Sequence, residues 1–196
     1  MQNFTPNIYC YVNNYNLSDL SKLSRNINII YRNYENIDHT NNLLKLKLFC
    51  KKNGNNLFMS NNVKLSIKFG LNGVYIPSFN NKLNYCSIYN FPIKFKIIGS
   101  AHNFKEIRIK SKQGCKEICL SPLFKINKSK NFLGIIKFNL LTLDIRSNFI
   151  ALGGIHKKNY KMIKLVKTIG FASESWAKKN GLRNLGRFYN KIINYN

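Results

Sequence analysis

Acidic side chains are scarce in this 196-residue chain: 7 Asp and Glu stand against 32 Lys and Arg, a formal net charge of +25. Such a field suits an anionic partner. A second reading carries equal weight. Asn, Lys, Ile and Tyr are abundant throughout, as in A+T-rich coding sequence, and the lysines are spread along the chain with no arginine-rich arm. The aromatics are not interleaved with basic residues in an RNA-binding signature, so nucleic acid is the disfavoured partner. A phosphate-bearing small molecule is served equally well by the field. The five cysteines, Cys10, Cys50, Cys86, Cys115 and Cys119, are odd in number and form no CxxC pair. They read as reduced, mostly buried thiols of a cytoplasmic protein, not as a disulfide frame or a zinc site. No apolar run approaches the length of a membrane span. The opening "MQNFTPNIYCYVNN" lacks the basic and apolar regions of a signal peptide.

What is present is the composition of a folded globule, 44% hydrophobic with 14 Phe and 11 Tyr. The length suits one domain with a sizeable core, expected over residues 1–196. Eight strand-like runs recur: "IYCYV", "INIIY", "LFMS", "GVYI", "KFKIIG", "EICLSP", "FIAL" and "GFAS". Between them lie helical stretches, "NNLLKLKLFCKKNG", "NNVKLSIKFG", "NFKEIRIKSKQG", "IKFNLLTLDIRSN" and "HKKNYKMIKLVKTIG". A degenerate helix is expected near residues 80–89 and a C-terminal one from about Ser175. Strands alternating with helices imply parallel pairing and right-handed crossovers. Eight units predict a compact single (β/α)8 TIM barrel, with an open doubly wound sheet as the alternative.

In such a barrel chemistry lies at the C-terminal ends of the strands. There the chain places Arg32, Ser60 with Asn61, residues 75–80, residues 100–103, residues 121–130, Gly153 with Gly154, and residues 173–175. The set is rich in hydroxyls, amides, glycine and lysine and poor in carboxylates, which suits phosphate oxygens. The Gly153–Gly154 pair has two readings: it lets backbone N–H groups approach a phosphate, or it relieves crowding at a tight turn.

In this order, "IIGSAHN", "GCKEICLSPLFKINKSKNFLG", "ALGGIHKKN" and "GFASES" resemble the thiamine phosphate synthase family, which includes a thiazole tautomerase branch. Its strands carry G-x-S-x-H, G-x-D-Y-x-x-x-[GS]-P-x-F and A-[IL]-G-G-I. The resemblance implies the same barrel. It also implies a transferase of thiamine biosynthesis that joins a hydroxymethylpyrimidine diphosphate to a thiazole phosphate, releasing diphosphate, with Mg2+. Ser100 matches the diphosphate-contacting serine and Lys130 the loop lysine on the same group, with Lys128 as its rival. Gly153, Gly154, Glu174 and Ser175 match the thiazole-phosphate cradle.

The departures are as specific. The two magnesium aspartates fall on Asn61 and Asn80, and Mg2+ binds poorly without carboxylate charge. Of Q-L-R-x-K only Arg32 remains, with Ile30 and Tyr34 in place of Gln and Lys. Pro122 stands where the tautomerase branch has its histidine, so that position is synthase-like. His102 is the remaining acid/base candidate near the mouth; as the alternative, it is a helix-start residue satisfied by neighbouring backbone. His156, after the glycines, reads as a solvated first-turn residue, and His39 carries no signal. Two functions follow: a divergent synthase, or a catalytically degenerate or tautomerase-like relative that binds thiazole phosphate or thiamine phosphate.

Overall fold

The structure, a computed structural model, describes residues 7–25, 27–34, 39–127 and 131–173. Eight strands, β1 (Asn7–Val12), β2 (Asn28–Tyr31), β3 (Asn56–Ser60), β4 (Gly73–Ile76), β5 (Lys96–Ala101), β6 (Glu117–Leu120), β7 (Asn148–Leu152) and β8 (Gly170–Ser173), run parallel in sequence order. β8 pairs with β1, from Asn7 opposite Gly170 to Cys10 opposite Ser173, so the barrel is closed. That closure excludes the open-sheet alternative and confirms the (β/α)8 expectation.

Period-2 alternation sorts each strand's side chains between two layers. Tyr9, Tyr11, Ile30, Phe58, Tyr75, Ile98, Cys119, Ile150 and Ala172 fill the lumen. Their strand neighbours, among them Val12, Ile29, Leu57, Val74, Ile118, Phe149 and Phe171, face the surrounding elements. At the N-terminal end of the lumen, buried Glu117 accepts from the Tyr9 hydroxyl and, at 2.9 Å, from Lys96 Nζ. One carboxylate thereby ties β1, β5 and β6.

The outer helices are α1 (Leu17–Leu20), α2 (His39–Asn53), α3 (Val63–Lys68), α4 (Tyr85–Ile88), α5 (Phe104–Lys112) and α6 (Gly134–Thr142). α1 is one turn, started by Asn16, whose side chain accepts from the Ser18 and Asp19 N–H groups. The long helix expected over "HKKNYKMIKLVKTIG" is corrected: only a 3-10 turn, Tyr160–Leu165, forms. Asn159 is the cause. Its Oδ1 accepts from His156 N–H at 2.8 Å and its Nδ2 donates to Gly154 O at 2.8 Å, which fixes a tight turn in place of a helix start. Further on, Lys167 N–H donates to Asn139 Oδ1 at 2.8 Å, drawing the chain out towards β8. The expected C-terminal helix lies outside the described residues.

Burial pushes the thiols of Cys50, Cys115 and Cys119 up to about 12 from 9.0. Above pH 9 the unfolded chain therefore binds fewer protons than the folded one, and stability falls as pH rises through that window. Fully buried Lys110 acts oppositely: burial lowers it from 10.5 to about 8, which favours the folded state as pH rises between those values. Three thiols outweigh one ammonium. The urea midpoint is expected to rise slightly from pH 8 to 9 and then decline, and a midpoint still climbing at pH 10.5 would contradict this.

Candidate functional site

The loops after the strands build the mouth. β3 ends on buried Ser60, and Asn61 follows with φ of 59°, a left-handed conformation that asparagine enters more readily than most residues. Its N–H donates to Tyr75 O at 2.8 Å. Its side chain meets Asn80 from the loop after β4. Asn80 Nδ2 donates to Asn61 Oδ1 at 2.6 Å and to the Tyr85 hydroxyl at 2.6 Å, while Asn80 Oδ1 accepts from Lys82 N–H at 3.0 Å. The two positions of the expected metal carboxylates are thus brought together and bonded directly to each other.

A magnesium ion does not fit these residues. It demands a near-octahedral set of oxygens with carboxylate charge among them. Both side chains here are neutral, and both amide oxygens already accept an N–H. Among the described residues no three His, Cys, Asp or Glu side chains gather as a metal site.

The loop carrying Asn80 is held from beneath by two residues that the sequence did not single out. Lys110 of α5 donates from Nζ to Pro77 O and Asn80 O, both at 2.7 Å, and to Gln113 Oε1 at 2.9 Å. Gln113 Nε2 donates to Asn80 O and Lys82 O, each at 2.8 Å. A signal existed: Lys110 follows buried Ile107 by three residues, on the helix face where an apolar side chain is expected.

The centre of the mouth is aromatic. Arg32 follows β2, and its guanidinium carbon stands 4.9 Å from the centroid of the Tyr11 ring, within cation–π range. The Tyr11 hydroxyl donates to the Tyr75 hydroxyl at 3.3 Å, with the rings edge to face. Burial pushes both phenols up, so they remain neutral hydrogen-bonding groups. Ser100, buried at the end of β5, neighbours the Tyr75 hydroxyl. Arg32 and Ser100 are therefore joined across the lumen through two tyrosines. At the rim, Tyr34, in the position of the expected lysine, holds its hydroxyl 2.9 Å from Ser60 Oγ and sets its ring 5.7 Å from that of Phe79.

Gly153 and Gly154 have φ of 93° and 68°. A Cβ on Gly153 would lie 2.8 Å from Pro122 Cα, and one on Gly154 would lie 2.6 Å from Phe124 O. Leu123 N–H donates to Leu152 O at 2.7 Å and Phe124 N–H to Gly153 O at 3.1 Å. The pair lets the loop after β7 lie flat on the loop after β6, so crowding alone already requires glycine at both positions. His102 is half-exposed at the start of α5, where Glu106 accepts both its N–H and its Nδ1, each at 2.9 Å. Its satisfaction comes from this side chain and not from backbone. Lys128, Lys130, Glu174 and Ser175 lie outside the described residues.

Fold and mouth together define a closed (β/α)8 barrel whose described mouth residues offer amides, hydroxyls, phenols and a guanidinium in place of carboxylates. No family model matches the chain. A thiamine-phosphate synthase of Prochlorococcus marinus subsp. pastoris is 28% identical over 130 residues, 65% of this chain and 36% of that protein. One from another Prochlorococcus marinus strain is 40% identical over 74 residues, 36% of this chain and 21% of that protein. The matches thus span about a third or less of these relatives' length. Among solved structures, a thiamine phosphate pyrophosphorylase from Pyrococcus furiosus superposes with a TM-score of 0.76 over 96% of this chain and 95% of that one, at 14% identity. Another, from Bacteroides thetaiotaomicron, gives 0.56 over 97% and 98%, at 13% identity. At such identities the superpositions speak for the fold. The sequence matches make this chain similar to thiamine-phosphate synthases over part of its length, and the superpositions give it the same fold.

Replacing Lys110 with Met should leave buried Gln113 Oε1 without its donor and take the charged donor from Pro77 O and Asn80 O, at a cost of about 2–4 kcal/mol in urea unfolding. Exposed Lys112→Met should stay within about 0.5 kcal/mol of the parent. Equal effects would refute the anchoring role of Lys110.

Proposed function

We propose that this mouth binds a hydroxymethylpyrimidine diphosphate and a thiazole phosphate and joins them into thiamine phosphate with release of diphosphate. The observation that carries the reading is the convergence, on one barrel face, of Arg32 after β2, Ser100 on β5 and the Gly153–Gly154 turn after β7. These are the positions that the resemblance assigns to the two phosphorylated groups. Backbone N–H groups of the glycine turn, with Ser175 and the backbone at Glu174, cradle the thiazole phosphate. Arg32, Ser100 and the loop lysine, Lys130 or its neighbour Lys128, hold the diphosphate.

The thiazole nitrogen's lone pair forms the new C–N bond at the pyrimidine methylene carbon. The C–O bond to diphosphate breaks and its electron pair leaves with the diphosphate. The charge that develops on that oxygen is met by fixed cations, the main way such a site lowers the barrier. The scheme asks no proton of His102 or of the two lumen tyrosines. No step is assigned to a metal, because the residues present do not fit one. A second reading has a specific observation behind it: the Asn61–Asn80 bond suits a barrel that binds thiazole phosphate or thiamine phosphate without turnover.

Purified protein given both precursors should form thiamine phosphate, measured chromatographically. Arg32→Ala should lower the rate about 100-fold, the scale of losing one charge-stabilising donor, and a Lys128→Ala/Lys130→Ala double variant should do likewise. Thiamine phosphate that binds but never forms selects the second reading. Absence of both product and binding removes both.

A further inference from the structure

Beside the mouth, between the loops after β3 and β4, lies a hollow of about 510 Å³ lined by Asn61, Lys64, Phe79, Asn80, Lys82 and Tyr89 among others. In a metal-dependent site a divalent cation does two things at such a place: it bridges the two loops, and it neutralises the ligand's phosphate oxygens. Here the bridge is already made by the 2.6 Å hydrogen bond that Asn80 Nδ2 donates to Asn61 Oδ1. Lys110 and Gln113 hold that bridge in place from below. Charge remains to be supplied, and the hollow carries two exposed lysines, flexible point charges suited to phosphate oxygens. The rings of Phe79 and Tyr89 add apolar faces for a planar heterocycle.

We propose that this hollow holds the diphosphate of a heteroaromatic ligand without a divalent cation, with the Asn61–Asn80 bond replacing the ion as strut and Lys64 and Lys82 replacing its charge. The proposal rests on the reading of the mouth given above and adds metal independence and two ligand-holding residues to it.

Calorimetric titration with inorganic diphosphate, and separately with thiamine phosphate, each in EDTA and in excess Mg2+, tests it. The wild-type protein should bind diphosphate in EDTA at least as tightly as in Mg2+. Lys64→Ala/Lys82→Ala should weaken that binding about ten-fold or more, on the scale of lost charge-assisted contacts. Lys51→Ala/Lys52→Ala, which removes the same charge from the last turn of α2, should leave it within about two-fold, since distant exposed charges are screened. In Asn61→Asp/Asn80→Asp, diphosphate binding should become Mg2+-dependent, and Mg2+ alone should raise the melting temperature, as it should not in the wild type.

Diphosphate binding by the wild type that appears only with Mg2+, or equal weakening by the two lysine pairs, overturns the proposal. Thiamine phosphate binding without diphosphate binding in either buffer overturns it while leaving the functional reading intact. Failure of both ligands removes the functional reading as well.

Discussion

The buried ammonium of Lys110 is the constraint on which the β3–β4 side of the mouth depends. Taking a lysine charge wholly out of water costs several kcal/mol unless oxygens surround it. Three do: two backbone carbonyls of the loop after β4 and the Gln113 amide oxygen. Any shift of that loop would leave the ammonium short of acceptors, so the loop is held to one position. Asn80 inherits that position, and through Asn80 so does Asn61. A side chain on the outer helix α5 thereby fixes the geometry at the ends of two barrel strands.

The lumen distributes its few polar groups with the same economy. Glu117 closes the N-terminal end against Tyr9 and Lys96, and Arg32 caps the other end over Tyr11. Between them stand neutral phenols and apolar side chains. The carboxylate is thus engaged away from the mouth, where it would repel a diphosphate. Glu106, the one carboxylate near the end of β5 among the described residues, is engaged by the start of α5 and by His102.

The fold was legible because eight short apolar runs alternate with polar, helix-forming stretches, and because glycine or proline punctuates them. Gly70 and Gly114 do stand at helix ends with positive φ. Legibility failed where a side chain overrode local pattern. The lysine and isoleucine spacing of "HKKNYKMIKLVKTIG" is helical, but Asn159 bonds both His156 and Gly154 and turns the chain first. At the site, spacing located Asn61, Asn80, Arg32 and the glycine pair. It could not say that the two asparagines bond to each other, since their 19-residue separation is bridged only by the parallel pairing of β3 with β4. For Lys110 the three-residue spacing from Ile107 is the one hint, and it is outweighed because a lysine among basic neighbours reads as solvated until packing shows otherwise.

The two asparagines that stand where the resemblance expects carboxylates are best understood as one electrostatic unit rather than two. Two carboxylates held at the 2.6 Å separation of Asn61 and Asn80 would repel strongly without a cation between them. One carboxylate facing one amide would leave a net charge with no ion to answer it. Two amides can bond directly, since Asn80 donates where Asn61 accepts, and they leave the site neutral. With that pair in place, the attraction for the phosphorylated ligand proposed above would come from fixed cations. A chain carrying +25 has these in abundance, and it places two of them on the hollow beside the pair. On the proposal above, the scarcity of acids and the amide–amide hydrogen bond at the mouth are two aspects of one electrostatic arrangement, in which lysine would do what an ion and its carboxylates do together.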